Sequence, residues 1–137
     1  MNAWPVLATP MTVQQAMQLD PLVLAYVGDS VQALYVRTYL AASTGQRAGK
    51  LHDMSIQCVS AVAQAGEVDV IRAMFTPEED DVYRAARNHK SKSTAKNASV
   101  ADYRKASGLE AVWGYLYLTG QEARLGVLLR AAHKFEE

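Results

Sequence analysis

The chain has 137 residues, half of them hydrophobic, with 14 Lys/Arg balancing 14 Asp/Glu. That composition suits one domain over 1–137 with a real core, and it excludes a disordered chain, which needs low hydrophobicity and high net charge. A lone cysteine, Cys58, excludes an internal disulfide and favours a reducing compartment; in the apolar run IQCVSAVA it reads as buried and inert.

The first residues, MNAWPVLATPM, lack the basic segment and long apolar run of a signal peptide, so a soluble cytoplasmic protein is expected. Helix starts then follow in order. Thr12 with Gln15 fits a capping box, and Asp20-Pro21 reads as an N-cap followed by proline at the first helical position. Thr76-Pro77-Glu78-Glu79 combines both devices. Ser99 with Asp102, and Thr119 with Glu122, are weaker starts. Gly45, Gly66 and Gly120 stand where helices can end. These marks predict about seven helices, over roughly 12–19, 21–42, 50–65, 67–74, 77–88, 99–119 and 121–135. No segment sustains period-2 alternation, so the fold is expected to be all-α.

Two acids stand in apolar helices. The 21–42 helix is apolar on nearly every side and is expected to be buried, yet Asp29 lies in its middle beside Gly28. Glu110 lies within GLEAVWGYLYL in the 99–119 helix. A carboxylate removed from water without a partner costs several kcal/mol or becomes protonated. A shared hard cation such as Mg²⁺ relieves both at once, since it takes one or two carboxylates together with water and phosphate oxygens. Purely structural readings also exist: Asp29 paired with Arg37, and Glu110 paired with Lys105 or Arg104.

Charge is unevenly spread. Residues 84–105 hold seven Lys/Arg against Asp102 alone, whereas 1–83 hold four against nine acids. The basic stretch, YRAARNHKSKSTAKNASVADYRKASG, offers Arg84, Arg87, Asn88, His89, Lys90, Lys92, Ser93, Lys96, Asn97, Arg104 and Lys105 as phosphate and hydroxyl contacts. Such a mixture suits duplex RNA, which is recognised by shape, and its few aromatics argue against single-strand stacking. The alternative is an ordinary solvated charge run. The stretch leads directly into the helix that carries Glu110.

At YVGDSV the sequence resembles the ribonuclease III signature, and at LEAVWGYLYL that family's second acidic helix. Over LAYVGDSVQALYVR, LHDMSIQCVSAVAQA, RNHKS, KN and YRKASGLEAVWGYLYL it resembles Mini-ribonuclease III, a catalytic domain without an RNA-binding domain. The resemblance implies an all-α ribonuclease III endonuclease domain acting as a homodimer, each site cutting one strand of double-stranded RNA to leave 5′-phosphate and 3′-hydroxyl ends. It implies Asp29 and Glu110 as catalytic metal ligands for Mg²⁺, and Tyr26 at the dimer interface, although Tyr26 also reads as core. It further implies maturation of the 23S ribosomal RNA precursor, with a large-subunit ribosomal protein as a candidate partner. Two acids usual in the wider family are replaced by Ala25 and Ser107, and Ala86 stands where Mini-type relatives carry glycine. Two other readings remain open at this level: a non-catalytic RNA-binding relative, and an all-α nucleotide pyrophosphohydrolase.

Overall fold

A computed structural model describes residues 9–89 and 99–134. The described residues form seven α-helices and no β-strand: α1 (Val13–Met17), α2 (Pro21–Thr44), α3 (Ala48–Val59), α4 (Ala61–Ile71), α5 (Pro77–Arg87), α6 (Val100–Leu118) and α7 (Glu122–Ala132), with a 3-10 turn at Arg72–Met74.

Local chemistry sets most of the boundaries. Thr12 and Thr76 each complete a capping box with Gln15 and Glu79, and Asp20 caps α2 by accepting from the Leu22 N–H at 2.8 Å. Each such cap contributes about 1 kcal/mol. Gly45 (φ 65°) and Gly120 (φ 70°) take the left-handed conformation just past the ends of α2 and α6.

Two expected boundaries fall elsewhere. The break between α3 and α4 comes at Ser60, whose extended backbone (ψ 157°) interrupts the helix and whose hydroxyl accepts from the Ala63 N–H at 3.2 Å. Gly66 instead lies inside α4. Thr119 does not start α7: its hydroxyl donates back to the Tyr115 carbonyl at 2.7 Å, closing α6, and Gln121 is the N-cap of α7, its side chain bonding Thr119 rather than capping the helix.

The centre of the fold is α6. Every residue from Ala106 to Leu116 is buried except Glu110, which is partly buried. It packs most extensively against α2, then α5 and α4. Trp113, Leu109 and Leu116 lie at the heart of the core with Tyr83, Ile71, Leu125, Leu128 and Leu129 from α4, α5 and α7. The ends of α5 and α7 are tied together by a buried Glu79 that receives both Nε and Nη2 of Arg124 at 2.9 Å; Arg124 Nη2 also donates to the Met74 carbonyl.

The 21–42 region is not buried all round. α2 turns Leu24, Ala25, Gly28, Val31, Gln32, Val36 and Leu40 inward, and leaves Val23, Leu34 and Tyr26 exposed, the last at 80%. Its second apolar face has no partner among the described residues.

Candidate active site

The crossing of α2 and α6 is made by backbone against backbone. A Cβ on Gly28 would lie 1.6 Å from the Glu110 carbonyl oxygen, and one on Gly114 would lie 2.0 Å from the Leu24 carbonyl oxygen. Leu24 faces Gly114 and Gly28 faces Glu110, so the helices run in opposite senses through the contact. Only glycine allows two helices this close. The consequence is chemical: Asp29, next to Gly28, is carried to the side chain of Glu110.

The two acids differ in environment. Asp29 is exposed, contrary to the expectation of a buried carboxylate, because it lies at the edge of the crossing rather than within it. Glu110 is pushed up to about 8, chiefly by burial, and further by the charge and hydrogen bonding of the Asp29 carboxylate; a hydrogen bond from Gln64 pulls the other way. Gln64 Nε2 donates to Glu110 Oε2 at 3.2 Å and to the Val59 carbonyl at 2.8 Å. A small recess of about 170 Å³ opens beside the pair, lined by Val59, Ala61, Gln64, Tyr103, Ala106, Ser107 and Glu110.

The structural pairing suggested for Glu110 with Lys105 is absent, since Lys105 Nζ instead bonds Asp69 on α4 at 3.0 Å. Two carboxylates in contact, one of them poorly hydrated, fit a hard divalent cation, which removes the repulsion between them. Among the described residues no group of three or more His, Cys, Asp or Glu converges, so other ligands have to come from water and substrate oxygens.

The basic residues are placed variously. Arg84 is engaged by Asp80 (2.9 Å) and Asp81 of its own helix. Arg87 lies over the Tyr83 ring, 5.3 Å from its centroid, and its Nε donates to Asn88 Oδ1 at 3.1 Å. His89 Nε2 is 3.7 Å from Asp20 at the start of α2. Arg104 is exposed in the first turns of α6. Lys90, Lys92, Ser93, Lys96 and Asn97 lie outside the described residues.

Sequence reasoning missed Gln64, although its segment was among those carrying the family resemblance. It also passed over His133, which is buried at 6% exposure. Cys58 is half-buried rather than buried, and its thiol is raised by burial and by the nearby Glu67, which keeps it protonated and inert.

These features define a helical nuclease domain, and the chain belongs to the ribonuclease III family: the Ribonuclease III domain matches residues 22–121. It is an endoribonuclease of that family, which sets aside the non-catalytic and pyrophosphohydrolase readings. Within the family its relatives are Mini-ribonuclease 3 proteins. That of Staphylococcus aureus is 47% identical over 113 residues, covering 81% of this chain and 84% of its own. That of Clostridium tetani is 42% identical over 120 residues (87% and 80%). That of Symbiobacterium thermophilum is 40% identical over 131 residues (96% and 96%). A crystal structure of a Fusobacterium nucleatum protein shares the fold, with a TM-score of 0.75 and 25% identity over 82% of this chain and 90% of that one. No helix among the described residues is long and apolar enough to cross a membrane.

Proposed function

We propose that this endoribonuclease hydrolyses double-stranded RNA with Mg²⁺ held by Asp29 and Glu110. One observation carries the reading: the glycine crossing of α2 and α6 brings an exposed and a poorly hydrated carboxylate into contact. Bound there, Mg²⁺ would supply a Lewis acid that activates water and neutralises charge on the phosphodiester. Asp29 and Glu110 present the ligand oxygens. Gln64 holds the Glu110 carboxylate in one orientation through its N–H. Addition of water at phosphorus with departure of the 3′-oxygen leaves 5′-phosphate and 3′-hydroxyl ends.

RNA is held by the 84–105 stretch. Arg87, Asn88, His89, Arg104 and Lys105 supply donors from the ends of α5 and α6, with Lys90, Lys92, Ser93, Lys96 and Asn97 between them in sequence. Arg84 joins them if it exchanges Asp80 and Asp81 for phosphate. The exposed side of α2, centred on Tyr26, is the homodimer face, so that two sites address one duplex. The biological reading is maturation of the 23S ribosomal RNA precursor in the cytoplasm, with a large-subunit ribosomal protein presenting the stem.

The test is incubation of purified protein with long duplex RNA, single-stranded RNA and nucleoside triphosphates, each with and without Mg²⁺. Cleavage confined to duplex RNA with Mg²⁺ is expected. Mg²⁺-independent cutting, or turnover of triphosphates alone, overturns the proposal.

A further inference from the structure

A second set of polar side chains lies buried on the helices that carry the site. Gln32 on α2 is fully buried, and its Oε1 receives the indole N–H of Trp113 on α6 at 2.9 Å. The same oxygen is 3.0 Å from Nε2 of His133, the residue that closes α7. His133 Nδ1 in turn is 3.4 Å from Oε2 of Glu67 on α4. Four helices are thereby joined through one chain of contacts.

The chemistry of that chain is directional. An indole N–H only donates, so the Gln32 amide must present its oxygen to Trp113. The same oxygen then requires a proton on His133 Nε2. Position along the helices is the second point. Gln32 follows Asp29 by three residues, Trp113 follows Glu110 by three, and Glu67 follows Gln64 by three. Residues three apart on a helix are neighbours on adjacent turns. Every element that presents a site residue is thus gripped one turn along by a member of the buried chain.

Hydrophobic packing tolerates small slips between helices, whereas a buried donor facing one acceptor does not, because losing the bond strands both groups. We infer that Gln32, Trp113, His133 and Glu67 are positioning residues that lock α2, α4 and α6 in the mutual register at which Asp29 and Glu110 bind a divalent cation. The inference rests on the metal reading of the carboxylate pair.

The test uses the full chain and Mn²⁺ as probe, with bound ion counted by electron paramagnetic resonance beside thermal melting. Gln32→Met keeps bulk and removes the bond; Trp113→Phe removes the bond together with part of a fully buried ring. Each should weaken Mn²⁺ binding roughly tenfold, the lower end of the loss found when partners of metal ligands are removed. Leu128→Ala, a core truncation in α7 outside the chain of contacts, should lower the melting temperature and leave Mn²⁺ affinity unchanged. Folded Gln32→Met and Trp113→Phe proteins with wild-type affinity overturn the inference.

A wild-type measurement covers variants that do not fold. The Trp113 indole N–H resonance, assigned with Trp4→Phe, should move on titration with Mg²⁺ and stay still in Asp29→Asn. A stationary resonance in metal-binding wild type overturns the inference while leaving the metal site intact. Absence of Mn²⁺ binding in wild type overturns the metal reading, and the positioning role with it.

Discussion

The Cα of Gly28 faces the carbonyl of Glu110 so closely that a methyl group there would overlap the oxygen at 1.6 Å. Gly28→Ala should therefore force α2 away from α6. Helix propensity favours alanine by about 1 kcal/mol, but the neighbour is backbone and cannot step aside. Overpacking against backbone, which costs about 1–3 kcal/mol or more, should outweigh that gain and leave the variant less stable. Gly66→Ala is the control: nothing lies within 4 Å of its added methyl, and it should gain roughly 0.5–1 kcal/mol. Urea midpoints of the two variants that moved in the same direction would contradict the crossing.

Asp29→Asn should abolish Mg²⁺-dependent cleavage of long duplex RNA, by more than about a hundredfold, since even partners of metal ligands can cost that much. Asp29 is exposed and takes no part in the core, so melting temperature and oligomeric state should stay unchanged. Cleavage at the wild-type rate removes Asp29 from the site.

Replacing Lys90, Lys92 and Lys96 together with alanine should weaken duplex binding and flatten its salt dependence. Each phosphate that is no longer neutralised lowers the slope of log K against log salt by about 0.9, so a fall of about 2–3 is expected. An unchanged slope means that these lysines do not face phosphate.

Tyr26 is 80% exposed on a face of α2 that also shows Val23 and Leu34. Tyr26→Ala should shift the protein toward monomer in sedimentation at micromolar concentration without lowering helix content. Wild type that sediments as a monomer would falsify the dimer assignment.

Stability should fall as pH rises through neutrality. Burial pushes the Glu67 carboxyl up to about 8 from an ordinary 4.5, so the folded state keeps a proton that the unfolded chain has lost. Its contribution therefore falls between about 4.5 and 8. His133 is held down to about 4 from 6.5 by burial, and its contribution rises over about 4–6.5. His133 opposes Glu67 below 6.5, and above it only the downward slopes of the raised carboxyls, Glu67 and Glu110, remain. Glu67→Gln should flatten the decline between pH 6.5 and 8 in chelator, read from urea midpoints. Glu110 follows the same sign as Glu67, and saturating Mg²⁺ should remove its share.

Much of this molecule could be read before its fold was seen, where the cause is local. Thr12, Asp20 and Thr76 announce helix starts because each side chain satisfies backbone groups two or three residues away. Asp29 and Glu110 stood out because an acid in an apolar helix needs a reason. The break at Ser60 was less visible, since serine caps and serine in mid-helix look alike in sequence. The exposure of Asp29 and Tyr26 was hidden because an apolar helix side facing water for lack of a partner has the same composition as one facing a core. Gln32 and His133 carried no signal of their own, because a buried polar pair is made by tertiary packing. One clue existed for Gln32: it continues the inward series Leu24, Gly28 at four-residue spacing.

The interruption at Ser60 reaches further than the shape of two helices. It frees the carbonyl of Val59, which takes one hydrogen of the Gln64 amide while Glu110 takes the other. Both hydrogens are then spoken for by acceptors, and rotating the amide by half a turn would set oxygen against oxygen twice. The bend in the chain thus works as a polarity selector, fixing which end of the Gln64 amide the Glu110 carboxylate meets.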